Sequence, residues 1–266
     1  MASINFRQGN VELVAIRRFA AKLFTMKISV IVPAFNEEKL IAATLRGIRS
    51  AMDSFSQRGW TAEMIVCDNN SSDGTAALAR AAGAQVVIEP VNQIARARNT
   101  GAAAATGDWL VFVDADSHPT PELFAEVAQQ IEAGRCLAGG CTVRYDERHF
   151  VTDCATVGWN ILSRTLRWMA GSFIFCERAA FATVGGFNLE LFASEEIDIS
   201  RKLKKLAKEQ GREVVVLHRH PLVTSIRKLR LYSRGEMLGL TCKAVLSPRK
   251  TLTSRARCIY WYDGRR

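Results

Sequence analysis

Two carboxylates one residue apart, Asp114 and Asp116, close the uninterrupted apolar run Trp109-Leu110-Val111-Phe112-Val113. Acids at the mouth of a buried strand are costly unless a cation meets them. A divalent metal carrying a diphosphate is a natural partner, because Mg²⁺ and Mn²⁺ prefer oxygen ligands and are held by one or two protein carboxylates. The plainer alternative is a solvated Asp turn before the helix expected after Ser117-His118-Pro119-Thr120-Pro121. A second acidic set, Glu195, Glu196 and Asp198, opens a helix whose apolar face is Ile199, Leu203 and Leu206. Acids at its start and Lys204, Lys205 and Lys208 further along suit the helix dipole. A like-charge cluster also raises the pKa of one member, which suits a carboxylate that takes a proton from a hydroxyl.

These acids need elements to position them. Lys27 to Val32 reads as a short buried strand, broken by Pro33-Ala34-Phe35-Asn36-Glu37-Glu38, and Leu40, Ile41, Leu45 and Ile48 then carry helical spacing. Met64 to Cys67 is a second buried strand, ending in the polar turn Asp68-Asn69-Asn70-Ser71-Ser72-Asp73-Gly74, with a helix from Thr75 to Ala82. Gln85 to Ile88 is a third strand, Arg96 to Ala105 a helix and Trp109 to Val113 a fourth strand. Strands alternating with helices argue for an α/β fold of parallel βαβ units. Ligands of such sheets sit beyond the carboxyl ends of the strands, where Pro33, Asp68, Asp114 and Asp116 all fall.

Ser29-Val30-Ile31-Val32-Pro33-Ala34-Phe35-Asn36-Glu37-Glu38, Asp68-Asn69-Asn70-Ser71-Ser72-Asp73-Gly74-Thr75, Ala97-Arg98-Asn99-Thr100-Gly101 and Asp114-Ala115-Asp116 occur in this order. Together they resemble a family 2 glycosyltransferase with a GT-A fold, a Rossmann-like, mostly parallel sheet flanked by helices. The resemblance runs from about Lys27 to about Lys228. It implies a nucleotide-diphosphate-sugar donor, Mn²⁺ or Mg²⁺, an acceptor hydroxyl and inversion at the anomeric carbon. By resemblance Asp116 binds the metal, with Asp114 near the metal or the ribose. Asp68 approaches the base, and Pro33, Ala34, Phe35, Glu37, Asn69 and Ala115 belong to the nucleotide-sugar pocket. Asn69 departs from the family's frequent second Asp. The family's base is normally the Asp of a Glu-Asp pair; Glu196 occupies that position here, with Glu195 and Asp198 as alternatives.

Arg98 is balanced between a diphosphate contact and a solvated helix face, and Arg96 reads as the latter. Gly101 and the alanines behind it suit close helix–sheet packing. Between the two acidic sets, Val157, Ile161, Leu162, Leu166 and Met169 suggest a helix with an apolar face. Its Trp159 and Trp168 either pack on the core or face an acceptor. Phe173-Ile174-Phe175 reads as a strand, and so does Val214 to Leu217. His218 and His220 behind the latter are a minority candidate for a further metal ligand. Arg227 and Lys228 are candidates to close over the donor.

Composition sets the outer bounds. The 266 residues suffice for one large domain, without an internal repeat or an apolar run long enough to cross a membrane. Seven scattered cysteines without a C-x-x-C pair read as free thiols of a reducing cytosol. Residues 1–200 hold 18 Lys/Arg against 22 Asp/Glu, net −4, whereas residues 201–266 hold 18 against 4, net +14. With Leu229, Leu231, Tyr232 and Tyr260-Trp261-Tyr262, that basic tail suits either a membrane interface or an ordinary basic surface. The expected organisation is an extension over 1–25, containing an amphipathic pattern, a GT-A domain over 26–228 and a basic helical tail over 229–266. The expected location is cytoplasmic, with peripheral membrane contact and a lipid-linked or phosphorylated acceptor as options and no nucleic-acid partner. Two rival functions are a non-catalytic nucleotide-sugar or membrane-binding module and a nucleotidyltransferase. The second lacks the Gly-rich basic loop expected after its first strand.

Overall fold

Unbroken apolar strands need cover on both faces, and this sequence supplies it. The computed structural model describes residues 26–148, 150–227 and 252–258. Strands β1 (Lys27–Ala34), β2 (Thr61–Asp68), β3 (Gln85–Ile88) and β4 (Trp109–Val113) pair in parallel. Ile28, Val30 and Val32 of β1 join Val111 and Val113 of β4 in one core layer, while Ile31, Leu110 and Phe112 point to the other. Helices α1 (Ile41–Ser56) and α4 (Pro121–Glu132) cover the first layer, placing Leu45, Ile48, Phe55 and Phe124 in it. Between them in sequence come α2 (Thr75–Ala81) and α3 (Ile94–Ala104), close to the expected bounds. Gly101 of α3 packs on β1; an added Cβ there would meet Ile31 Cγ2 at 2.5 Å.

The second half extends the sheet. The two-residue β5 (Ser117–His118) and β6 (Cys136–Tyr145) are followed by α5 (Phe150–Leu166), β7 (Phe173–Glu177), α6 (Arg178–Thr183), α7 (Glu195–Glu209) and β8 (Glu213–Thr224). Strand order is β3-β2-β1-β4-β7-β6-β8-β5. β7 runs antiparallel to β4 and β6, β6 and β8 are parallel, and β5 is antiparallel to β8. The sheet is therefore mostly parallel, with β7 inserted and β5 at the edge running antiparallel. From β1 the chain moves first toward β2 and β3 and then back to β4. Ligand crevices form at such a reversal, and the ends of β1 and β4 flank this one.

Two expectations change. Val214 to Leu217 is the first part of a longer strand, so His218 and His220 lie within β8 rather than behind it. On α5, Val157, Ile161 and Leu162 are exposed rather than buried; Met169, beyond the helix, is the residue that enters the core. Among the described residues no helix is long and apolar enough to cross a membrane, and the six described cysteines are free thiols. The patterns over residues 1–25, Lys228 and the aromatic run 260–262 lie outside the described residues.

Candidate functional site

The crevice is a cleft of about 490 Å³. From the end of β1 come Pro33, Ala34, Phe35 and Glu37, and Asn69 comes from the end of β2. Arg98 projects from α3, Asp114, Ala115 and Asp116 follow β4, and Glu195 and Glu196 open α7. Asp68 and Asp198 of the expected set do not line it. Asp68 is buried beneath the wall, with Oδ1 lacking a hydrogen-bond partner among the described residues. Asp198 forms an ion pair with Lys202 one turn along, at 2.8 Å.

Arg98 is the hub. Its Nη2 meets Asp114 Oδ1 at 3.0 Å and donates to the Gly171 carbonyl at 2.7 Å, while Nη1 meets Glu195 Oε1 at 2.6 Å. The guanidinium carbon lies 5.2 Å from the centre of the Phe187 ring, which itself packs edge-on against Phe112. Arg98 is thus buried rather than on a solvated helix face. Burial works against its charge, and Asp114, Glu195 and Glu196 more than offset this, raising its pKa. One cation therefore joins the β4 acids to the α7 acids.

Glu196 is half-buried and lines the cleft beside Gly171, where an added Cβ would approach Arg98 Nη2 at 3.4 Å and Glu196 Cγ at 3.6 Å. Desolvation, then the Glu195 charge, with a smaller part from Asp114, raises its pKa to about 8. Glu195 is spent on Arg98 and Asp198 on Lys202. Of the three acids, Glu196 is the one that lines the cleft without a described ion pair to a base.

Sequence pattern does not reveal how the wall at the end of β2 is braced. Asn69 Nδ2 donates to the carbonyls of Glu89 at 3.3 Å and Val91 at 2.7 Å, and its Oδ1 accepts from Gln93 N–H at 2.9 Å. That explains an amide where an acid was anticipated: a carboxylate would face two carbonyl oxygens. Gln93 Nε2 reaches across to the Leu189 and Leu191 carbonyls at 2.8 and 2.9 Å. Buried Glu37 accepts from Arg227 Nη2 at 2.5 Å, so Arg227, just beyond β8, is tied to a wall residue rather than lining the cleft itself. Phe192 N–H donates to the Leu252 carbonyl at 2.7 Å, which brings part of the basic tail onto the 188–194 loop. Asn92, Tyr145 and Ser172 also line the cleft and were missing from the expected pocket, and Trp159, a candidate to face an acceptor, lines it too, as does Ser225. Trp168 instead carries Arg201 over its ring at 5.2 Å.

Asp114 and Asp116 supply an all-oxygen donor set, which fits Mg²⁺ or Mn²⁺ completed by substrate phosphate and water. Asp116 is buried, and its charge is felt by Tyr145: desolvation first and Asp116 second raise the phenol pKa. No group of three or more His, Cys, Asp or Glu suited to a metal occurs among the described residues, so a third protein ligand is not supplied there. His218 and His220 do not line the cleft.

The model of the glycosyl transferase family 2 matches residues 29–181, more than half of the chain. The chain belongs to glycosyl transferase family 2. The matched span holds Asp68, Arg98, Asp114 and Asp116 but stops before Glu195. An uncharacterized glycosyltransferase of Mycobacterium bovis is 33% identical over 113 residues, 42% of this chain and 47% of that protein. The chain spans less than half the length of the curated relatives it matches. Among solved structures, the mannosyltransferase PcManGT from Pyrobaculum calidifontis, in complex with GDP-Man and Mn²⁺, superposes with a TM-score of 0.60 at 20% identity. That match covers 88% of this chain and 68% of the other. Glucosyl-3-phosphoglycerate synthase from Mycobacterium tuberculosis, with Mn²⁺, UDP-glucose and phosphoglyceric acid, gives a TM-score of 0.58 at 22% identity, covering 91% and 83%. These likenesses show the GT-A fold.

Proposed function

We propose that the protein transfers a sugar from a nucleotide-diphosphate-sugar to an acceptor hydroxyl, with inversion at the anomeric carbon. The observation that carries this reading is one cleft holding Asp114 and Asp116 together with Glu196, joined through Arg98. Asp114 and Asp116 would hold Mn²⁺ or Mg²⁺, a use that the metal complexes of the two structural neighbours support. Bound with a diphosphate, that ion would offset the charge developing on the leaving nucleoside diphosphate.

The chain's own residues do the rest. Glu196 takes the proton of the acceptor hydroxyl as its oxygen attacks the anomeric carbon from the face opposite the leaving group. Its raised pKa makes it a stronger base than an ordinary carboxylate. Arg98 keeps Asp114 and Glu195 in place, holding both halves of the cleft in one register. Asp68, buried at the end of β2 and outside the cleft lining, would support the base-side wall rather than meet the base. Trp159 and Tyr145 give the same cleft flat faces on which a sugar packs.

The test is transfer from a panel of nucleotide sugars to pooled hydroxyl acceptors, comparing wild type with Glu196→Gln. The expected result is nucleotide-sugar-dependent product whose rate falls roughly 10²–10⁴-fold in the variant while donor affinity is retained. Equal rates in the two proteins would remove Glu196 from the chemistry.

A further inference from the structure

Going beyond the transfer reading and standing without it, we propose that the outer face of α5 docks on an anionic lipid bilayer. A helix laid on a sheet normally turns its apolar stripe inward. α5 does the reverse. Phe150, Val157 and Ile161, two turns and then one turn apart, are 81%, 58% and 61% exposed. Leu162 at their edge is exposed as well, and so is Cys154 between them.

What the helix turns inward is largely polar. Asn160 clamps β6, accepting from Val143 N–H at 3.0 Å and donating to the Val143 carbonyl at 2.9 Å. Buried Ser163 donates Oγ to the Trp168 carbonyl at 2.6 Å, and Thr156 Oγ1 donates to the Thr152 carbonyl at 2.7 Å. Trp159, which lines the cleft, and half-buried Leu166 add apolar area on that side. Directed hydrogen bonds from Asn160 thus fix the rotation of α5 on the sheet and hold its large apolar side chains outward. That orientation forgoes burial of the stripe, and contiguous exposed apolar surface of this kind marks an interaction face.

The charge around the stripe says what covers it. Arg164 and Arg167 are exposed in and just after the last turn of α5. Beside them, exposed Arg201 of α7 lies over the Trp168 ring at 5.2 Å, and exposed Lys204 donates Nζ to the Leu166 carbonyl at 2.9 Å. Arg148 precedes the first turn. The acids nearby are Glu147 and Asp153 at the start of the helix and Glu213, which pairs with Arg167 at 3.2 Å. Apolar side chains bordered by Arg and Lys suit the surface of an anionic bilayer: the apolar groups enter the acyl boundary while the cations meet lipid phosphates. A second copy of the chain fits less well, because a stable protein pair uses about 800 Å² per partner and one short stripe supplies only part of that. With the transfer reading a consequence is added. A bilayer seated on α5 delivers a membrane-held acceptor hydroxyl to the cleft that Trp159 lines from the same helix.

The experiment is flotation of the full chain with equimolar phosphatidylcholine–phosphatidylglycerol vesicles. Wild type is compared with a variant combining Phe150→Ser, Val157→Ser and Ile161→Ser, with melting temperatures to establish folding. Wild type is expected to float with the vesicles, and the variant to partition about tenfold or more weakly. A second measurement covers a variant that does not fold: an environment-sensitive fluorophore on Cys154, in a Cys242→Ser background, is expected to shift to the blue when the same vesicles are added. Wild type that stays off the vesicles overturns the assignment. So does equal flotation of the folded variant, which would leave the binding to basic residues elsewhere, and so does a label that remains in water while the protein floats. A dimer that the three substitutions abolish, in a protein that does not float, would give the stripe to a second copy instead. No nucleotide enters these assays, so their failure leaves the transfer reading standing, and loss of donor binding would fail that reading alone.

Discussion

Replacing Arg98 by Met removes the charge and keeps most of the stem. The structure says what is left behind: Asp114 and Glu195 lose partners at 3.0 and 2.6 Å, the Gly171 carbonyl loses a donor, and Glu196 loses a nearby cation. Removing one member of a buried ion pair typically costs roughly 3–5 kcal/mol, so a loss of about 4 kcal/mol near pH 8 is expected. The loss must depend on pH. Without Arg98 the Glu196 pKa, already raised, rises further above its unfolded value. Such a group loses stability as pH climbs from the unfolded value toward the folded one. The variant is therefore closest to wild type in mild acid, where Glu196 takes up its proton, and furthest from it in mild alkali. Urea denaturation followed by circular dichroism at about pH 5.5 and about pH 8 measures both numbers. Adding Glu195→Gln to the variant should return a substantial part of the loss, because one uncompensated charge disappears. A cost below about 1 kcal/mol at the higher pH, or an equal cost at both, would refute the hub assigned to Arg98.

Three further outcomes follow from local geometry. Glu195→Gln removes the negative neighbour that helps raise the Glu196 pKa to about 8, so the acid limb of the pH–kcat/KM profile should move to lower pH; an unmoved limb would separate Glu196 from the titration. Burial pushes the Glu63 pKa upward, but hydrogen bonds from Lys27, Ser29 and Thr106 outweigh this and hold it at about 2. Its contribution is present above the ordinary Glu value of 4.5 and lost as pH falls toward 2. Because the group is partly exposed, acid titration of stability should show about 1–2 kcal/mol there that Glu63→Gln lacks. Gly101→Ala drives a methyl into Ile31 Cγ2 and should lower stability by about 1–3 kcal/mol in thermal denaturation.

The first half of the fold is legible because β1, β2 and β4 are continuous apolar runs ending in polar turns, and burial on both faces demands that pattern. β6 is absent from the expected strands, and Gly139-Gly140 interrupts its apolar run. In the sheet, Phe175 crowds the first glycine and Met169 the second, so neither position has room for a side chain. α5 misleads in the opposite way, since a helical apolar spacing on Val157 and Ile161 does not say that the face is covered. Of the site, strand ends and helix starts could be placed, and with them Asp114, Asp116 and Glu196. The partnerships could not. Arg98 and Glu195 are 97 positions apart, and Glu37 and Arg227 are 190 apart; only closure of the sheet joins them. Asn69 could be placed in the pocket by resemblance, but not the bonds by which its amide braces the turn.

The most direct test of the donor site needs no acceptor. Thermal unfolding of wild type and Asp116→Asn should be followed with nucleoside diphosphates, with and without Mn²⁺. A ligand at about one hundred times its Kd adds about 2.7 kcal/mol to the folded state. The account predicts a Mn²⁺-dependent rise in melting temperature with at least one nucleotide that is lost in Asp116→Asn. An equal rise in both proteins, or none in folded wild type at saturating nucleotide and metal, would contradict it.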